Sequence, residues 1–170
     1  MIEIWQGLLK AIQLIVTLDP EVLEITGRTL AISISSTVIA GLLSLPLGSL
    51  IHFNRFPGKR VLINLIQTFY SVPTVGVGLF VFLLFSRSGL LGFWELMFTP
   101  TLMVIGQVIL VTPVVLGLMI AALNGVDKIA YETSVALGAN RFQATITIVR
   151  EARYAIYSAV ILGFGRAISE

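Results

Sequence analysis

From Thr29 to Phe53 the chain runs without a single Asp, Glu, Lys or Arg. A helix of about 20 apolar residues is enough to cross the hydrocarbon core of a bilayer. This stretch therefore limits the chain to folds in which a long helix is surrounded by lipid or by other apolar helices. Two further stretches of comparable length, about 61–85 and 101–123, are also free of these four residue types. Composition agrees: 56% of the 170 residues are hydrophobic, 12% are charged and mean hydropathy is +0.97. A soluble domain carries about 25% charged residues, so so few charges could not cover the apolar surface of a water-soluble chain this small. The expected fold class is all-α, a polytopic transmembrane helix bundle in one domain over residues 1–170.

What precedes and joins the spans is equally patterned. In residues 1–17, Glu3, Gln6, Lys10, Gln13 and Thr17 recur at helical spacing, opposite Trp5, Leu8, Leu9, Ile12, Ile15 and Val16. One polar stripe on an apolar helix favours lying in the membrane interface; a short crossing helix is the competing reading. A basic leader and a small-residue cleavage site are both missing from this segment, so it is read as mature protein. Residues 18–28 are polar and acidic. Pro57-Gly58 breaks the chain between the first two spans. Inside the second span, Pro73 and the glycines Gly76 and Gly78 point to a kink, read either as a gate or as simple packing. Trp94, in the 86–100 loop, suits an interfacial anchor. The run from Tyr154 to Glu170 is a partial fourth span.

The basic residues orient this arrangement. The 54–60 turn holds Arg55, Lys59 and Arg60, and the long insertion 124–153 holds Lys128, Arg141, Arg150 and Arg153. The 18–28 segment has Arg28 alone and the 86–100 loop Arg87 alone. Three spans connect these regions alternately, so both basic regions fall on one side, expected to be the cytoplasm.

Enzymatic chemistry finds little foothold. The chain has no cysteine and one histidine, His52, which removes thiolate and multi-histidine metal sites. His52 reads as an interfacial residue at a helix end. An intramembrane enzyme would need ionisable groups inside the spans, and the first three offer none but His52 at an edge.

The 124–153 insertion is more than a connector. Asp127 can cap a short helix from about Lys128 to Leu137, Gly138 suits the left-handed residue that ends it, and Asn140 with Gln143 can form a capping box for a second helix. Helix, glycine turn and helix on the cytoplasmic side make an element that can plug into a soluble partner. The stretch Tyr131-Glu132-Thr133-Ser134-Val135-Ala136-Leu137-Gly138 resembles the EAA motif of ABC importer permeases, with Glu132, Gly138 and Ile148 at the motif's spacing. Thr133 and Ser134 stand where that motif has alanines, and Arg150 and Glu151 stand where it has leucine and proline. More narrowly, ITGRTLAISISSTVIAGLLSLPLG, YSVPTVGVGLFVFLLFSRSGLLG, ALGANRFQATITIVREAR and GFGRAISE are similar to tungstate-type permeases, relatives of the molybdate and sulfate permeases.

The resemblance implies a permease subunit that is not itself an enzyme and binds no cofactor, with ATP and Mg held by a separate ABC ATPase subunit. It further implies an extracytoplasmic substrate-binding protein, a second permease copy in a homodimer, a place in the inner or plasma membrane, and no nucleic acid. By the same comparison the chain ends within its fourth span and lacks a fifth. The implied docking residues are Glu132, Ala136, Leu137, Gly138, Asn140, Arg141 and Phe142. Pro73, Thr74, Gly76, Arg166 and Glu170 are candidates for the path or gate. Arg166 and Glu170, four apart, read either as an ion pair within one helix or as part of an anion's route. A membrane scaffold and a channel gated without ATP are the rival classes; neither accounts for the helix–glycine–helix insertion.

Overall fold

The computed structural model describes residues 2–170, with the side chains of all of these except 2–4, 8, 11 and 12. Among the described residues every regular element is helical. In helix α1 (Ile2–Val16) the described side chains of Trp5, Leu9, Ile15 and Val16 are exposed. Glu3 of the polar stripe and Leu8 and Ile12 of the opposite face lie outside the described side chains. The chain turns at Leu18, whose φ is 51°.

Helix α2 (Pro20–Phe53) is longer than the apolar run within it. The polar, acidic segment that precedes that run forms its first turns. Asp19 accepts a hydrogen bond from the Glu21 amide at 3.0 Å, Pro20 takes the first helical position, where its missing N–H costs nothing, and Glu24 pairs with Arg28 at 2.7 Å. Local capping thus carries the helix past the apolar boundary that hydropathy detects.

The second apolar stretch is not one straight helix. It divides into α3 (Lys59–Thr68), a 3-10 turn (Phe69–Ser71) and α4 (Thr74–Phe85), with a bend of 97° between the two halves. Pro73 has no N–H for the helical ladder, and Val72 before it is held extended (φ −63°, ψ 126°). No neighbouring atom lies within 4 Å of where a Cβ would sit on Gly76 or Gly78. These glycines do not seat another helix of this chain.

Helix α5 (Pro100–Asn124) is capped by Thr99, and both α2 and α5 continue through an interior proline, Pro46 and Pro113. After the short helices α6 (Lys128–Ala136) and α7 (Arg141–Glu151) comes α8 (Arg153–Ile168). The core lies where α2, α5 and α8 meet. Val111, Val115, Met119 and Leu123 of α5 pack on Ala40 of α2 and on Ile156, Ala159 and Ala167 of α8. In a bilayer such packing relies on close approach rather than on expelling water. The face of α2 turned inward carries small residues, Ser33, Ser36, Ala40, Ser44 and Gly48. On α8, Gly163 lets Val115 come so close that a Cβ there would collide with it. At the other level, Tyr70 seats its ring against Gly117, and α3 lays Ile66 on Ile51, Leu116 and Ile120.

Candidate functional site

Two regions carry polar or exposed side chains with no structural need for them. The first is the 124–153 insertion. Asp127 accepts from the Ile129 amide at 3.0 Å and begins α6. The helix ends in a left-handed turn: Gly138 has φ 91°, its N–H donates to Val135 O at 2.9 Å, and the Ala139 N–H reaches back to Ser134 O at 3.0 Å. This paired return satisfies carbonyls that the helix end would leave free. Asn140 and Gln143 then exchange hydrogen bonds of 2.8 and 2.9 Å, a complete capping box for α7.

The inward faces of this unit are anchored. Ala144, Ile148 and Ala152 are buried in the core, and the Tyr131 ring stacks on Phe53 at the end of α2, 5.8 Å between centroids. Beside it His52 and Asn124 share a hydrogen bond of 2.8 Å, tying the ends of α2 and α5. The outward faces are bare. Leu137 is 84% exposed, Phe142 72% and Ile129 64%. Exposed large apolar side chains clustered on one short unit mark a contact surface. Glu132, Ala136, Asn140 and Arg141 are exposed on the same unit, and among the described residues neither Glu132 nor Arg141 forms an ion pair. Apolar knobs with an uncommitted carboxylate and guanidinium are therefore anchored to the ends of the long helices.

The second region is a cleft of about 500 Å³ between α4, the first half of α5 and the end of α8. Most of its lining is apolar; Thr74, Thr99, Gln107 and Glu170 are its polar members. Of the path candidates, Thr74 and Glu170 come together here, while Pro73, Gly76 and Arg166 are not in the lining. Pro73 sits at the elbow before α4, and Arg166, in the last turn of α8, contacts Glu170 just beyond that helix at 3.4 Å.

The reading of the sequence passed over Gln107. Its Oε1 accepts from Ser36 Oγ at 2.8 Å and its Nε2 donates to Ala167 O at 3.3 Å, so one amide joins α2, α5 and α8 beside the cleft. Ser44 Oγ reaches Thr112 O at 3.4 Å one step further along the same seam. The available signal was a lone amide in the middle of an uncharged span, since polar groups in such a place need partners.

With this geometry in view, the comparisons with known proteins are informative. Residues 44–170 match the family described as "Binding-protein-dependent transport system inner membrane component". The chain is 38% identical over 147 residues to a probable anion ABC transporter permease protein of Haloferax volcanii, covering 86% of this chain and 63% of that one. It is 37% identical over 165 residues to the tungstate uptake system permease protein TupB of Peptoclostridium acidaminophilum, covering 97% of this chain and 72% of the relative. A sulfate transport system permease protein of Synechococcus elongatus is 28% identical over 158 residues, 84% of this chain and 55% of the relative. The chain thus spans between about half and three quarters of the length of these curated relatives. The match runs through α5, the capped α6–α7 unit and α8, and on it the chain belongs to the family of inner membrane components of binding-protein-dependent transport systems.

Proposed function

We propose that this chain forms part of the translocation path for an oxyanion, tungstate or its close analogue molybdate, and couples that path to a separate ATPase subunit. The observation that carries the reading is the α6–α7 unit: exposed Ile129, Leu137 and Phe142 outward, Tyr131 on Phe53 and Ile148 in the core inward. The names of the relatives at 37–38% identity support an anion, and tungstate in particular.

The His52–Asn124 end of the bundle faces the cytoplasm, as the basic residues Arg55, Lys59, Arg60, Arg150 and Arg153 require. There the ATPase subunit, which holds ATP and Mg, docks on Leu137 and Phe142, with Glu132 against a basic residue and Arg141 against an acidic one. A push on α6 passes through the Phe53 stack into α2 and through Ile148 into α5 and α8. An extracytoplasmic binding protein delivers the anion at the Thr99 end, and a second copy of the permease completes the path.

The test is co-purification with the ATPase subunit and anion-dependent uptake in Glu132→Lys and Gly138→Asp variants of the full-length permease. Both variants should insert into the membrane at wild-type levels, lose the ATPase on purification and lose uptake. Intact complexes with normal uptake in both would reject the docking assignment.

A further inference from the structure

Helix α3 and the 3-10 turn that continues it (Phe69–Ser71) present three faces, and only two are explained by packing or by lipid. Lys59, Ile63, Ile66 and Tyr70 turn toward α2 and α5, where Ile66 is buried and Lys59 Nζ donates to His52 O at 2.7 Å. Val61, Leu62, Leu65 and Phe69 form an exposed apolar stripe, 36–62% accessible, of the kind acyl chains cover. The third face carries Arg60, Asn64, Gln67, Thr68 and Ser71, all exposed. Among the described residues the side-chain amides of Asn64 and Gln67 have no hydrogen-bond partner, and Arg60 no ion pair. Polar groups left bare within a membrane protein need water or a polar ligand, because hydrocarbon cannot satisfy them.

The position of this face narrows what it meets. It begins at the basic 54–60 turn and rises to Tyr70, which is seated on Gly117, seven residues from the end of α5. It ends at Ser71, three residues before Thr74, which lines the cleft that also holds Gln107 and Glu170. The 97° bend between α3 and α4 means that the two halves of this segment do not share one lipid-facing direction.

We propose that the Arg60–Asn64–Gln67–Ser71 face of α3 is the wall of a water-filled route for a tetrahedral oxyanion between the Thr74 cleft and the cytoplasm. The chemistry fits: amide N–H groups and a hydroxyl donate to anionic oxygens, and the guanidinium at the cytoplasmic mouth draws the anion through. No strong multipoint cage is present, which suits a surface the anion must leave. This inference rests on the permease reading above and adds the residues of the inner half of the route.

This chain contains no cysteine, so single cysteines can report on each face. The full-length permease, assembled with its ATPase subunit in inverted membrane vesicles, is labelled with an anionic, membrane-impermeant methanethiosulfonate. Asn64→Cys and Gln67→Cys should react about tenfold faster than Val61→Cys and Leu65→Cys, because only an aqueous thiol ionises and meets the reagent. Saturating tungstate or vanadate trapping of the ATPase should slow the first pair and leave the second unchanged. Two results overturn the inference. Equal labelling of Asn64→Cys with and without tungstate or vanadate makes α3 an ordinary interfacial helix; no labelling places the face against a second protein copy. ATP-driven release of tungstate loaded, with its binding protein, into the lumen of the same vesicles separates this from the parent reading: normal tungstate release with either result sinks only the α3 route, whereas absent release from wild-type vesicles sinks the permease assignment itself.

Discussion

Replacing Gly163 by alanine should destabilise this protein although the same change elsewhere in its helices should stabilise it. A helical Gly→Ala change ordinarily gains about 0.8–1 kcal/mol of helix propensity. At Gly41 nothing opposes that gain: an added Cβ would meet only Val160 Cγ2, at an ordinary 3.7 Å. At Gly163 the Cβ would run into Val115 Cγ2 and crowd Val111 Cγ1 at 3.3 Å. Val115 is fully buried and β-branched, so its χ1 has little freedom to move aside. Overpacking of this kind costs about 1–3 kcal/mol, which exceeds the propensity gain and leaves a net loss of up to about 2 kcal/mol. The assay is thermal loss of monodisperse protein in detergent, for which about 2–4 °C corresponds to 1 kcal/mol in a chain of this size. Gly41→Ala should raise the midpoint by a few degrees and Gly163→Ala lower it. Combining Gly163→Ala with Val115→Ala should recover stability beyond additivity, by more than the ~0.5 kcal/mol seen between independent sites. Equal stabilisation by both glycine changes, with an additive double variant, would show that α8 does not rest on α5 at this point.

Further outcomes concern three residues described above. Ser33 Oγ is buried without a hydrogen-bond partner among the described residues, so Ser33→Ala should leave the midpoint unchanged or raised, while Gln107→Leu, which severs links to Ser36 and Ala167, should cost about 1 kcal/mol in the same melt. At Gly138, where there is room but φ is 91°, Gly138→Ala should cost about 1–2 kcal/mol and Gly138→Asn less, read as faster hydrogen exchange at the Leu137 and Ala139 amides.

Local chemistry made parts of this molecule legible before any coordinates. The caps at Asp127 and Asn140 and the turn at Gly138 depend on side chains and backbone within a few residues, so their pattern is written in consecutive positions. Charge-free length exposed α2 and α5 for the same reason. The start of α2 was hidden because Asp19, Pro20 and the Glu24–Arg28 pair make helix from residues that hydropathy scores as loop. The sharpness of the elbow at Pro73 was hidden because a proline in a span is compatible with any bend from a slight kink upward; Tyr70 on Gly117 is the long-range contact that accompanies the sharp one. Gln107 escaped notice because its partners, Ser36 and Ala167, lie 71 and 60 residues away. The exposed polar face of α3 becomes visible only once the packed face is known.

Pro46 and Pro113 sit almost level with each other, both just past the Ser44–Thr112 contact on the parallel helices α2 and α5. Each lacks the N–H that would hold the carbonyl four residues earlier, Leu42 and Ile109 respectively. The two longest rods of the bundle are therefore softened at a common height. Flexing is cheapest there, so the halves bearing Phe53 and Asn124, with the capped pair of short helices fastened to them, can swing as one body while the serine-lined upper halves stay interlocked.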